Sequence, residues 1–364
     1  MTLPPLIGHQ TARRQLAQAF RGAKLPQVLL LTGPAGVGKQ RLALWLAQLA
    51  VCERPAALEP CGSCRSCRLV DSLSHPDLHW FVPVARSKAS DPDKQVEEAS
   101  QSIAQVMEDR RSQPLYLPTD GMAIHGIATV RLLQRRASLT PVEGGSRIFI
   151  VGEADRLVPQ ESSPEAANAL LKLLEEPPSG SLCILTTVDP GLILPTVRSR
   201  SVLVRLGRLS DDEVRTFLET HLRPVPSPEE LRQRVASADG AIGRALARGD
   251  EAGKAQQAAR QLLEAVLAGS GPSLEQALRQ PPWSARGEFT AMLDALAETL
   301  SEAAREATGH EPRWPVPKGL LRHGDPNPLL EAMRYVADAR EAAWGNVNPQ
   351  LLLAVLGQEL VEVL

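Results

Sequence analysis

The 364-residue sequence has no run of eighteen apolar residues, no excess of charge of one sign and few aromatic side chains. Without the apolar run a membrane-spanning helix is not expected, and the N-terminus lacks the charged-then-apolar pattern of a secretory signal. A formal net charge of −2 with a pI near 6.4 argues against a protein that coats nucleic acid by bulk electrostatics, although a local basic surface stays open. The expectation is a cytoplasmic protein with no membrane partner, and the length predicts two or three domains. Arginine outnumbers lysine and proline is frequent, a bias that genome composition and heat tolerance explain equally well.

One further absence is local. Gly33-Pro34-Ala35-Gly36-Val37-Gly38-Lys39-Gln40 builds a phosphate-binding loop, in which glycines let backbone N–H groups converge on phosphate oxygens and Lys39 reaches the terminal phosphates. The next position ordinarily carries a Ser or Thr hydroxyl for Mg²⁺, and here it is Gln40. The flanks fit: Val28 to Leu31 reads as a buried strand, and 41–50 as a helix whose N-terminus faces the phosphates. A second apolar strand, Arg147 to Val151, runs into Gly152-Glu153-Ala154-Asp155. In a P-loop NTPase such a strand end offers a carboxylate to the magnesium shell and a glutamate that orients water. Glu153 fills the second role and Gly152 cannot fill the first, so ATP or ADP binding is uncertain and the Mg²⁺ site is defective.

Cysteine is scarce, yet four of the five fall at Cys52, Cys61, Cys64 and Cys67, spaced C-x8-C-x2-C-x2-C. In a reducing compartment that clustering favours a closed structural Zn²⁺ site over disulfides. Few Lys, Arg and aromatic residues interleave with Cys61 to Cys67, which disfavours a zinc-dependent DNA-binding module. Cys183 reads as a small buried hydrophobe.

Along the rest of the chain, a helix over 10–21 carries Leu16 and Phe20 on one face. Residues 86–118 are polar and proline-bounded, with a helical patch over 96–107. That stretch reads as a surface insertion, as much a solvated loop as a contact surface. Helices over 127–138 and from Pro164 to Glu176, ended by Pro177-Pro178, alternate with strands including Leu182 to Thr187, implying a parallel sheet covered on both faces. Beyond Leu206 β-branched runs vanish and helices take over. The expected domains are 1–206, an α/β P-loop domain with the cysteine module at 52–67 and the insertion at 86–118; 207–251, a small helical lid; and 252–364, an all-α assembly domain.

The P-loop, the cysteine spacing, Ala166-Ala167-Asn168-Ala169-Leu170-Leu171-Lys172-Leu173-Leu174-Glu175-Glu176-Pro177-Pro178 and Val197-Arg198-Ser199-Arg200, in this order, resemble the bacterial clamp-loader branch of the AAA+ superfamily over residues 1 to about 250. The resemblance implies a RecA-like domain, a helical lid and a helical collar. It also implies work within the DNA polymerase III holoenzyme, loading a sliding clamp on primer-template DNA. Within the family, Gln40, Gly152 and the 86–118 insertion are similar to the delta-prime type, which generally does not drive hydrolysis itself. The alternative is the ATP-hydrolysing gamma/tau type with a rearranged magnesium shell, using Lys39, Glu153 and Asp155. The delta-prime resemblance implies gamma/tau and delta subunits and the clamp as partners in a hetero-oligomer, at the nucleoid through the replisome. Ser199-Arg200 resembles the family's Ser-Arg-Cys motif, with Ser201 in place of the cysteine, which implies an arginine finger acting in trans. Thr187 is implied as a sensor threonine. Arg244 is implied as the lid arginine that approaches phosphates, a C-terminal helix arginine satisfying carbonyls being the other reading.

Overall fold

The computed structural model describes residues 3–56, 58–113, 115, 123–143, 145–157, 165–246, 250–281, 288–312, 316–321, 325–343 and 347–364. Pro164, expected to open a helix, lies outside the described residues, as do positions 114 and 116–118 of the 86–118 stretch. The described residues fall into two compact units, one ending at Leu246 and one running from Asp250 to the C-terminus.

The first unit is built on five strands, β1 (Val28–Thr32), β2 (Leu78–Phe81), β3 (Arg147–Val151), β4 (Ser181–Thr187) and β5 (Val202–Arg205). Their spatial order is β2-β3-β4-β1-β5 and every pairing is parallel. β1, β3 and β4 are buried along their whole length, as continuous runs such as Val28-Leu29-Leu30-Leu31 demand of a sheet covered on both faces. The two edge strands differ from these: β2 is half-buried at Leu78 and His79, and β5 leaves Val202 and Leu203 exposed.

The helices of this unit are α1 (Gln10–Arg21), α2 (Lys39–Val51), α3 (Arg65–Asp71), α4 (Pro92–Ser112), α5 (Ile127–Ala137), α6 (Glu165–Glu175) and α7 (Pro195–Arg198). α8 (Asp211–His221), α9 (Pro228–Ala238) and α10 (Ile242–Leu246) follow. These last three enclose a small core of their own, including Leu209, Val214, Leu218 and Val235. α8 starts on a capping box, Ser210 accepting from the Glu213 amide while the Glu213 carboxylate reaches back. Although these three helices have their own core, they group with the sheet in a single unit.

The 86–118 stretch departs from the surface insertion expected of it. The helical patch expected over 96–107 is part of a longer, 21-residue helix, α4, whose Asp91 cap accepts from the Asp93 and Lys94 amides, with Pro92 in the first turn. Val96, Ile103 and Met107 line one face and join the main core beside the sheet. Arg110 is buried at the end of that face with its guanidinium 4.1 Å from the Trp80 ring centre.

The second unit is all-helical: α11 (Asp250–Ala268), α12 (Ser270–Leu278), α13 (Glu288–Ala307), α14 (Asn327–Ala342) and α15 (Pro349–Val363). Its core runs through Leu262, Leu263, Phe289, Leu293, Leu296, Val336 and Leu360. No helix among the described residues is long and apolar enough to cross a membrane. The fold is thus α/β followed by all-α, as the alternation of β-branched runs and its loss after Leu206 require.

Candidate functional site

The phosphate loop joins β1, an inner strand, to α2, so its backbone lies at the carboxyl end of the sheet beside the ends of β4 and β3. Gly36 and Gly38 hold φ of 76° and 108°, where a side chain would be strained. The loop is fastened from outside. The Gly243 amide of α10 donates to the Gly36 carbonyl at 2.9 Å, and His9 Nε2 donates to the Val37 carbonyl at 2.8 Å. The approach to α10 is backbone on backbone: a Cβ on Gly243 would lie 2.6 Å from the Gly36 Cα. Lys39 is buried, and its Nζ donates to the Gly33 and Pro34 carbonyls at 2.7 and 2.8 Å. Burial pulls its pKa from 10.5 down to about 8, against an upward pull from Asp155 and Glu153.

Gln40 and Gly152, the two departures from the usual magnesium ligands, meet in space. A Cβ on Gly152 would fall 2.9 Å from Gln40 Nε2 and 3.1 Å from Oε1. The amide therefore fills the volume that a carboxylate at position 152 needs, and neither residue offers the anionic or hydroxyl oxygen that Mg²⁺ prefers. Gln40 and Gly152 thus do not supply the two oxygen ligands that a divalent cation takes at these positions in a P-loop site. The glycine loop and Lys39 do fit a phosphate group.

Around this end three partners carried no motif. His125 is buried and donates from Nε2 to the Gly152 carbonyl at 2.7 Å, burial holding its imidazole neutral with a pKa near 4. The Thr186 hydroxyl accepts from the Glu153 amide at 3.0 Å and holds Glu153 at a φ of 54°. The Glu153 carboxylate pairs with Arg156 at 2.8 Å. Thr187, expected as the sensor, is fully buried and donates its hydroxyl to the Asp189 carbonyl of its own turn at 2.9 Å. Adjacent residues face opposite sides of a sheet, so Thr186 meets the Glu153 amide while Thr187 turns to Asp189. Arg244 follows Gly243 and lies 3.7 Å from the Asp239 carboxylate, which Arg208 also pairs at 2.8 Å.

The four cysteines converge. The Sγ atoms of Cys52, Cys61, Cys64 and Cys67 all lie within 4.8 Å of one another, with Cys61 and Cys67 3.9 Å apart. Tetrahedral zinc with Zn–S bonds of about 2.3 Å needs sulfurs about 3.8 Å apart, so the set fits that ion. Backbone amides point at the sulfurs: Cys61 N to Cys52, Cys64 N to Cys61 and Cys67 N to Cys64, at 3.3 to 3.4 Å. The Ser63 and Cys64 amides lower the Cys61 pKa to about 6, whereas burial raises Cys67 and Cys52. Four such thiols do not ionise together without a cation. The module is tied to the core through Glu59, which accepts from Trp45 Nε1 at 2.8 Å and pairs with Arg13 at 2.6 Å.

Arg200 lies elsewhere. It precedes Val202, which pairs with Leu29 near the start of β1, whereas the phosphate loop leaves β1 at its far end. From Leu29 to Gly33 the strand climbs about 13 Å at roughly 3.3 Å per residue, so Arg200 sits at the opposite end of the sheet from the chain's own loop. Its side chain is more than one-third exposed at 37%.

The family model for "DNA polymerase III, delta subunit" matches residues 8–210. DNA polymerase III subunit delta' of Bacillus subtilis is 31% identical over 177 residues, which are 49% of this chain and 41% of that protein. The chain thus spans about two-fifths of that relative. The Escherichia coli subunit delta' is 25% identical over 346 residues, 94% of this chain and 91% of that protein. A gamma-subunit-related protein from Thermotoga maritima aligns over 95% of this chain and 99% of its own, with 15% identity and a TM-score of 0.38. Because the family model takes in more than half of the residues, from just ahead of α1 through β5 to the cap of α8, this chain belongs to the DNA polymerase III delta subunit family of clamp-loader proteins.

Proposed function

We propose that this protein is a delta-prime-type subunit of the clamp loader, a partner that activates a neighbouring ATPase rather than hydrolysing ATP itself. The observation that carries the reading is the separation of its two ends. The chain's own loop has Gln40 packed on Gly152 where a magnesium shell belongs, while Arg200 is exposed at the other end of the sheet, out of reach of that loop. An arginine placed so can serve a phosphate only on another chain. There it offsets charge developing on the transferred phosphoryl group.

In this reading Arg200 is the catalytic group, offered in trans to a gamma/tau neighbour. The helical second unit joins the ring, and the assembly with delta opens the sliding clamp on primer-template DNA in the bacterial cytoplasm. Zn²⁺ on Cys52, Cys61, Cys64 and Cys67 is structural. The glycine loop with Lys39 holds a phosphate group of ATP or ADP statically. The test is the DNA- and clamp-stimulated ATPase of the reconstituted complex. Arg200→Ala is expected to slow hydrolysis about 10³-fold or more at the one site it serves, and an unchanged rate at every site overturns the reading.

The gamma/tau reading retains one specific support, the carboxylates of Asp155 and Glu153 acting on Lys39. Turnover by the isolated chain that disappears in Lys39→Ala would establish it.

A further inference from the structure

We propose that Glu175, the last residue of α6, is the positioning residue for the Arg200 guanidinium; this rests on the trans reading of Arg200. Arg200 Nη1 donates to the Thr196 carbonyl at 2.9 Å, and Nη2 lies 2.6 Å from Glu175 Oε1. The two acceptors come from different elements, Thr196 from α7 and Glu175 from the end of α6. A guanidinium is a rigid planar fork with five N–H groups, so acceptors on both terminal nitrogens fix its plane as well as its reach. N–H groups beyond these two contacts remain for a phosphate.

Both side chains are substantially exposed, Arg200 at 37% and Glu175 at 46%, so the clasp stands at a surface that another chain can meet. An exposed pair of this kind contributes little to folding. Its effect is on geometry, because a group that acts only when aligned loses rate whenever it samples other rotamers. Sequestration of Arg200 is the competing role for the same carboxylate. Positioning is favoured because Nη1 is given to a backbone carbonyl, leaving the carboxylate on Nη2 rather than spread across the fork. The motif that ends α6 thereby gains a task besides packing: Leu173 and Leu174 bury the helix, and Glu175 turns outward to the finger.

The experiment uses the reconstituted clamp loader, with Glu175→Ala, Glu175→Asp, Arg200→Ala and the Glu175→Ala/Arg200→Ala pair, and Glu176→Ala as the control for charge alone. Glu175→Ala is expected to lower kcat roughly two- to fivefold with KM for ATP unchanged, the factor an exposed pair supports. Glu175→Asp restores most of the rate, Glu176→Ala matches wild type, and the pair is no slower than Arg200→Ala alone. Thermal unfolding of each variant separates positioning from loss of fold, and Glu175→Gln replaces Glu175→Ala where that variant does not assemble. If Arg200→Ala slows the complex while Glu175→Ala leaves it unchanged or speeds it, the positioning role is overturned and the trans reading stands. If Arg200→Ala has no effect, the trans reading falls and takes this inference with it.

Discussion

The two ends of one parallel sheet have opposite characters. At the carboxyl end, where β1, β3 and β4 finish, the loop is closed in on itself: Lys39 bonds carbonyls of its own loop, α10 bonds Gly36, His9 bonds Val37, and Gln40 fills the space beside Gly152. At the amino end, β5 is exposed and Arg200 stands among groups that hold it without covering it. In a hydrolysing P-loop protein the carboxyl end does the chemistry. Here Lys39 bonds its own loop and Gln40 takes the space beside Gly152, while the exposed guanidinium of Arg200 stands at the opposite end.

The largest test of this contrast compares Arg200→Ala with Lys39→Ala in the same reconstituted complex. The first removes the outward group and should slow the neighbour's site about 10³-fold or more, whereas the second removes a lysine bonded to its own loop. Equal losses from both would erase the distinction between the two ends.

Next in size is the cysteine module. One zinc per chain is expected by a colorimetric chelator assay, lost in Cys64→Ser. Loss of the ion should open the 52–67 segment to protease while the sheet stays folded, since that segment is held to the core by Glu59. Collapse of the whole chain on chelation would show instead that the ion supports the loop end of the sheet.

A smaller effect is the pH dependence of Lys39. Its folded pKa of about 8 lies below the ordinary 10.5, so between these values the unfolded chain binds more protons than the folded one. Stability therefore rises with pH across that window, by at most about 3 kcal/mol. Measured against Lys39→Met, wild type should gain between pH 8 and pH 10. A flat difference would mean that the lysine is better solvated than its contacts with Gly33 and Pro34 imply.

How much of this was legible beforehand depended on whether a residue's role is local. The P-loop, β1, α1, the cysteine set and the parallel sheet follow from spacing and period, because each is dictated within a few residues. In the 86–118 stretch the helix over 96–107 was legible but its length and buried face were not, because only one face of α4 is buried and Val96, Ile103 and Met107 are diluted among charges. The contact of Thr186 with the Glu153 amide carried no mark in the sequence, which gives no strand phase relative to a neighbouring strand. Glu175 and Gly243 act across 25 and more than 200 residues respectively, on Arg200 and Gly36, and nothing local in either marks the distant partner.

The last prediction bears on whether Gln40 and Gly152 are two losses or one exchange. Their contact makes them one packing unit, since the volume lost at 152 is taken up by the amide from α2. Gly152→Asp alone places a Cβ within 3 Å of Gln40, and such overpacking costs typically about 1–3 kcal/mol. It also buries a carboxylate beside the Gln40 amide. Gln40→Thr alone leaves a gap instead, with a smaller cost. Combined, the substitutions should be less destabilising than the sum of the singles, by about 0.5 kcal/mol or more, because the shorter side chain vacates the space the carboxylate enters. The pair also restores the hydroxyl and the carboxylate that Mg²⁺ lacks, so calorimetry should show the double variant alone gaining Mg²⁺-dependent nucleotide binding. Strict additivity in urea unfolding, with no gain in metal dependence, would mean that the two positions changed independently and that the closed loop end owes nothing to their contact.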